Sequence, residues 1–134
     1  MYKRVESFSL GMPWEDSHGY VQALRVGSDV HVSGQMPHDE QGNIVGAGDL
    51  AAQAESVFAN LDRVLDAVGA TKRQVAETQV LVVDLGRNLA AASEAHRTYF
   101  GGHRPASTAL GVLELALPGQ LLEVSAVVNL DLPR

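Results

Sequence analysis

The chain has 134 residues, 46% hydrophobic and 19% charged, a size that supports one sizeable core and a single domain. It contains no cysteine, which excludes disulfides, thiolate metal sites and a thiol nucleophile. The formal net charge is −6 and the Lys and Arg residues are scattered, which argues against a nucleic-acid binder, because neutralising phosphates takes a surplus of basic side chains.

Residues 1–18 read as loop, with Gly11, Pro13 and the only tryptophan, Trp14. The opening Met1-Tyr2-Lys3-Arg4-Val5-Glu6 leads into no apolar stretch of the kind a secretory signal needs. No apolar run approaches the ~20 residues of a spanning helix, so no membrane association is expected and the expected location is the cytoplasm. Tyr20 to Gly27 and Asp29 to Gly34 read as two short strands joined at Gly27-Ser28-Asp29. In the second, Val30, Val32 and Gly34 alternate with His31 and Ser33, the period of a half-buried strand. Pro37 to Gly48 is a Pro/Gly/Asp-rich connection.

The spacing predicts a helix over Asp49 to Val68. Leu50, Ala54, Val57, Phe58, Leu61, Val64, Leu65 and Val68 fall on one face, while Glu55, Asn60, Asp62 and Arg63 lie mostly elsewhere. Asp49 suits the N-cap and Gly69 the stop. A strand follows over Val75 to Leu85, its Val80-Leu81-Val82-Val83 run suited to a central position. A second helix spans Arg87 to Phe100, with Leu89, Ala92, His96, Tyr99 and Phe100 on one side and Gly101-Gly102 ending it. Ala106 to Leu115 and Leu121 to Leu130 are the last strands, separated by the turn residues Leu117-Pro118-Gly119. Leu122, Val124, Ala126 and Val128 share one face of the final strand, and Glu123, Ser125 and Val127 the other.

The order β-β-α-β-α-β-β predicts an α+β sandwich with two helices on one face of the sheet. The last strands carry small or aliphatic residues on both faces, and two helices cannot cover both. An uncovered apolar sheet face is an interaction surface, so oligomerisation is expected.

Motif chemistry is sparse. The five histidines, His18, His31, His38, His96 and His103, show no metal-binding spacing, and no metal or cofactor is expected. His96, on the helix face, reads as a satisfied, half-buried residue. No serine sits in a G-x-S-x-G elbow, and Gly101-Gly102 and Gly46-Ala47-Gly48 are turn glycines that match no phosphate loop.

Several segments together resemble one known family. His103-Arg104-Pro105-Ala106-Ser107-Thr108-Ala109 and Leu122-Glu123-Val124-Ser125-Ala126 resemble the carboxy-terminal signature of the Rid family, the reactive intermediate deaminases, also labelled YjgF or endoribonuclease L-PSP. Gly19-Tyr20-Val21-Gln22-Ala23 is similar to its G-P-Y-S-Q-A segment without the proline, and Val32-Ser33-Gly34-Gln35-Met36-Pro37 to its S-G-Q-I-P strand end. Asp49 to Gln53 matches the start of its first helix and Val82-Val83-Asp84-Leu85 its central strand end. The resemblance runs through nearly the whole chain from residue 13. It implies a chorismate-mutase-like fold, a homotrimer, and three small-molecule clefts between subunits.

In deaminating members a P-A-R-S/T arginine grips the carboxylate of an imino or enamine acid, and a glutamate in the last strand positions the attacking water. By resemblance, Glu123 is the catalytic residue, and Tyr20, Ser33, Gly34, Ser93, Ser107, Thr108 and Ala109 line the pocket. Ala109 stands where many members have cysteine and Ser93 roughly where some have asparagine. Ser107 replaces the arginine, which makes this a divergent member. A charge-assisted bond of ~1.5–3 kcal/mol is lost with that arginine, so efficient 2-iminopropionate turnover is not expected. On an extended strand Arg104 points away from the face of Ser107; Arg25 or Arg87 of a neighbouring subunit is the other candidate cation. The implied function is hydrolytic deamination, or a related hydrolysis, of an imine- or enamine-type metabolite. The alternative is a non-catalytic metabolite-binding or interaction trimer; ribonuclease activity is disfavoured by the acidic charge. Each residue also has a plainer role open to it: Glu123 as a solvated or ion-paired carboxylate, Tyr20 as a packed aromatic, Ser107 and Thr108 as ordinary strand residues, Gly34 as room for close backbone approach.

Overall fold

A computed structural model describes residues 4–134 of the chain. Its longest helix is the one the apolar spacing marks. It runs Leu50–Val68 (α2), with the Asp49 carboxylate accepting from the Ala52 amide at 3.2 Å and Gly69 closing it in the left-handed conformation. All eight apolar residues on the predicted face are buried. Asn60 is buried as well, contrary to its expected placement, because its amide donates to the carbonyls of Met36 (2.8 Å) and His38 (3.2 Å) in the loop packed beside it.

Residues 1–3 of the segment read as loop lie outside the described residues. The remainder holds a strand, Val5–Phe8 (β1), and a short helix, Pro13–His18 (α1), with loop only at residue 4 and residues 9–12. β1 is fixed by a partner distant in the sequence, pairing from Val5↔Val26 to Phe8↔Ala23. At six residues, α1 is too short for its periodicity to register; Pro13 in its first turn and Gly19 at its end are the local signals.

The other elements fall close to prediction: Ala23–Val26 (β2), Asp29–Gln35 (β3), Val75–Val83 (β4), Leu85–Phe100 (α3), Ala106–Val112 (β5) and Leu122–Asn129 (β6). Tyr20 lies outside β2, in the turn leaving α1, and α3 begins two residues earlier than expected because Asp84 turns the chain in the left-handed region. The six strands form one sheet in the order β1-β2-β3-β6-β4-β5. Only the β4–β5 pair is parallel, as the β4-α3-β5 crossover requires.

Register sorts the two faces. Val30, Val32, Val80, Val82, Leu122, Val124, Ala126 and Val128 are buried beneath α2 and α3. The opposite face is uncovered, as expected, but it is mixed rather than apolar: Leu24, Leu81, Leu110 and Val127 alternate with His31, Gln79, Thr108, Glu123 and Ser125. β5 forms one edge of the sheet, and Ala106 to Gly111 are all exposed.

Candidate functional site

One cavity, of about 600 Å³, gathers Tyr20, Ser33, Gly34 and Glu123 together with Trp14, His18 and Met36. Its geometry begins with a bulge in β3. Val32 pairs with Ala126 and Gln35 with Val124, so Ser33 and Gly34 together stand opposite Ser125. For this reason Gln35, not Gly34, takes the next inward position after Val32, and the simple alternation read from the sequence breaks at Ser33. Gly34 lies so close to β6 that an added Cβ would collide with the Glu123 carboxylate. Glycine is here for space, with no positive φ to demand it.

A buried polar chain fixes the cavity wall. The Glu15 carboxylate accepts from the amides of Met12 (2.9 Å) and Leu10 (3.2 Å) and from the Gln22 side chain (3.4 Å). Gln35 donates to Gln22 (2.9 Å) and to the Ser33 carbonyl (3.0 Å), and the Ser33 hydroxyl donates to the Val21 carbonyl (2.7 Å). These bonds tie the Tyr20 turn to the bulge. Burial opposes ionisation of Glu15, but bonds from Ser9, Met12, Gln22 and Leu10 outweigh it and hold its pKa below the usual carboxylate value. Burial pushes the Glu123 pKa up, only partly countered by the Gln120 side chain. Burial, and then the charges of Glu15 and Glu123, raise the Tyr20 phenol. Among the described residues Glu123 has no ion-pair partner, so the site holds a proton-avid carboxylate facing open space.

The remaining predicted residues lie elsewhere in the chain. Ser93, Ser107 and Ala109 line a second cavity of about 230 Å³ between α3 and β5, with Val80, Leu89 and His96. Ser107 and Ala109 point toward α3 because their β4 neighbours, Thr78 and Val80, are buried there. Thr108 alternates onto the uncovered face beside Gln79 and lines neither cavity. Thr78, not singled out by the sequence, bonds both the Ser107 hydroxyl and His96 Nε2 at 2.8 Å. Burial lowers the His96 pKa and keeps the ring neutral. Arg104 precedes β5, so the strand alternation expected to point it away from Ser107 does not apply to it. β5 starts only at Ala106, and Arg104 lines a cavity of about 410 Å³ that shares His96 with the Ser107 cavity. Arg25 is tied to the Gly27 carbonyl at 2.8 Å. No cluster of metal-ligating side chains occurs among the described residues.

The sole tryptophan was the one signal for the Trp14 wall; His18, Met36 and Leu117 carry no pattern that marks them as lining residues.

The backbone is similar to a Mycobacterium tuberculosis member of the YjgF/YER057c/UK114 family, with a TM-score of 0.82 and 29% identity over 94% of this chain and 99% of the other. A Pseudomonas aeruginosa protein of unknown function superposes with a TM-score of 0.80 at 27% identity, covering 97% of this chain and 95% of its own. Fold and site thus define an α+β protein of the YjgF type. The family model described as Endoribonuclease L-PSP matches residues 14–130, and the chain belongs to that family, the Rid family. A rat 2-iminobutanoate/2-iminopropanoate deaminase is 34% identical over 81% of this chain and 77% of its own length. A RutC family protein of Pyrococcus abyssi is 32% identical over 81% of this chain and 84% of its own.

Proposed function

We propose that the protein is a Rid-type hydrolase acting on an imine or enamine metabolite in clefts between the subunits of a homotrimer. The observation that carries this reading is the division of the site residues within one chain. Tyr20, Ser33, Gly34 and Glu123 surround one cavity, and Ser93, Ser107 and Ala109 another. Each is half a site, and a second copy brought against the exposed β5 edge unites them. The deaminase relatives supply the reaction class.

In that cleft Glu123 takes a proton from water as its oxygen attacks the C=N carbon and passes it to the nitrogen; the carboxylate then moves the carbinolamine's hydroxyl proton to the nitrogen as the C–N bond breaks, the C=O forms and ammonia leaves. The sum is an imine plus water giving a carbonyl compound plus ammonia. A carboxylate whose pKa is raised by burial is the stronger base for this step. With Ser107 in place of the arginine, 2-iminopropanoate is a poor substrate. No helix among the described residues is long and apolar enough to cross a membrane, and the cytoplasm is the proposed location; a yeast relative 31% identical is named mitochondrial.

The test generates 2-iminopropanoate in place with a dehydratase and follows ammonia release. Slow turnover by the native protein, faster turnover by Ser107→Arg and none by Glu123→Gln is the expected pattern. Turnover indifferent to Glu123→Gln overturns the reading. Ligand binding with no turnover by either the native protein or Ser107→Arg leaves the non-catalytic trimer in its place.

A further inference from the structure

Thr78 is fully buried and holds the centre of a three-residue chain. Its Oγ1 lies 2.8 Å from His96 Nε2 and 2.8 Å from Ser107 Oγ. A threonine hydroxyl has one hydrogen. With that hydrogen donated to Ser107, the Thr78 oxygen accepts from His96, which fixes the ring as the Nε2–H tautomer. The Ser107 hydrogen is then left free. Ser107 is exposed and lines the cavity with Ser93 and Ala109, so this hydrogen is available to a ligand there. Each donation polarises the next hydroxyl, so the terminal donor is stronger than a lone serine.

The chain carries no net charge. His96 is half-buried and packs against Phe100, with ring centroids 4.7 Å apart, and burial lowers its pKa. The ionisable groups sharing its outer cavity are Arg97, His103 and Arg104. Arg97 is paired with Glu94 at 2.6 Å, and His103 Nε2 is engaged with the Val75 carbonyl at 2.7 Å. The position that presents a guanidinium in the carboxylate-binding pattern therefore presents a neutral, oriented donor.

We infer that His96, Thr78 and Ser107 form a neutral donor chain that selects substrates bearing an uncharged acceptor, an ester or amide carbonyl, where a carboxylate would otherwise bind. This rests on the proposed deaminase reading and names its substrate class: neutral enamines or imines. Thr78 and His96 act as positioning residues, and Ser107 touches the ligand.

The probes are methyl acetoacetate and acetoacetate, a neutral and an anionic product of the same skeleton, titrated by NMR against the intact native assembly. Methyl acetoacetate is expected to bind at least ~5-fold tighter, because a carboxylate without a cation loses more hydration in the cleft than an ester carbonyl does. Ser107→Ala, a change at an exposed position, and Thr78→Val remove that preference, while Thr78→Ser retains it. Equal or tighter binding of acetoacetate, binding of neither probe, or an unchanged preference in Ser107→Ala overturns the inference. Hydrolysis of methyl 3-aminocrotonate to methyl acetoacetate and ammonia is read separately. Ester preference with ammonia release indifferent to Glu123→Gln keeps the donor chain and sinks the proposed reaction. Ammonia release that depends on Glu123 alongside acetoacetate preference does the reverse.

Discussion

The carboxylate of Glu123 fills the space that a side chain at Gly34 would need. The two residues sit on neighbouring strands, at the bulge where β3 spends two residues against Ser125. An added methyl meets the flexible end of a glutamate that borders a cavity, so the carboxylate can swing aside at small cost to the fold. Gly34→Ala is therefore expected to lower activity at least ~10-fold, the effect of misplacing a reacting group, with a stability change under ~1 kcal/mol. Paired rate and urea-denaturation measurements check this. A variant that keeps full activity would show that Glu123 does not act from this position.

Burial of Glu123 gives a signed pH prediction. Its folded pKa is raised above the unfolded value, so the folded state holds this proton more tightly. The resulting contribution favours folding below the unfolded pKa and is lost as pH rises through the folded one. At neutral pH the ionised carboxylate thus weighs against the fold, and Glu123→Gln raises the thermal midpoint there while reducing activity. The gain in midpoint shrinks toward pH 4, where the native carboxyl is itself protonated. In the native protein the acidic limb of the rate profile lies above the ordinary glutamate range of ~4.3. Equal midpoints at pH 7 would mean that Glu123 is solvated.

The helix α2 was legible because it buries one continuous stripe, and such a stripe repeats every three to four residues in the sequence. β1 was not, because four residues reveal nothing until Val26 to Ala23 pair with them. The bulge at Ser33 and Gly34 was hidden for a related reason: only the position of β6 shows that two residues oppose one. Resemblance named candidate site residues one by one and treated Ser107 and Thr108 as neighbours in one pocket. Strand alternation separates them, Ser107 toward α3 and Thr108 toward the open face. Thr78 escaped notice because its importance lies in touching two residues, 18 and 29 positions away.

Gln53 is completely buried in α2 and clamps the loop before α2 to the loop that leads into β6. Its amide donates to the carbonyls of Gly46 (2.9 Å) and Gly119 (2.8 Å), and its oxygen accepts from the Leu121 amide at 2.7 Å. Gln53→Leu strands the enclosed Leu121 amide, while the carbonyls of Gly46 and Gly119 keep bonds from the amides of Asp49 and Gly48, so a loss of about 1–3 kcal/mol is expected. Urea unfolding followed by circular dichroism reads the change as a lower midpoint with an unaltered slope. A loss below ~1 kcal/mol would mean that water replaces the clamp.

The divided site makes the strongest demand on assembly. If one subunit supplies Glu123 and its neighbour the Ser107 strand, two variants damaged in different halves must rescue each other. Glu123→Gln removes the base; Ser107→Trp blocks the other half through a position already exposed. Each variant alone is expected to be inactive. Random mixing at equal amounts leaves about a quarter of the clefts with both halves intact, because each cleft draws one half from each of two subunits. Activity near a quarter of native after co-refolding is therefore expected, and none if each chain carries its own complete site. Leu110→Asp supplies the structural control. Leu110 is 41% exposed on the edge strand β5. A charge there must be desolvated when a second copy docks, so the variant is expected to sediment as monomer and to lose activity without unfolding. A Leu110→Asp protein that stays trimeric would move the interface away from β5 and take the shared cleft with it.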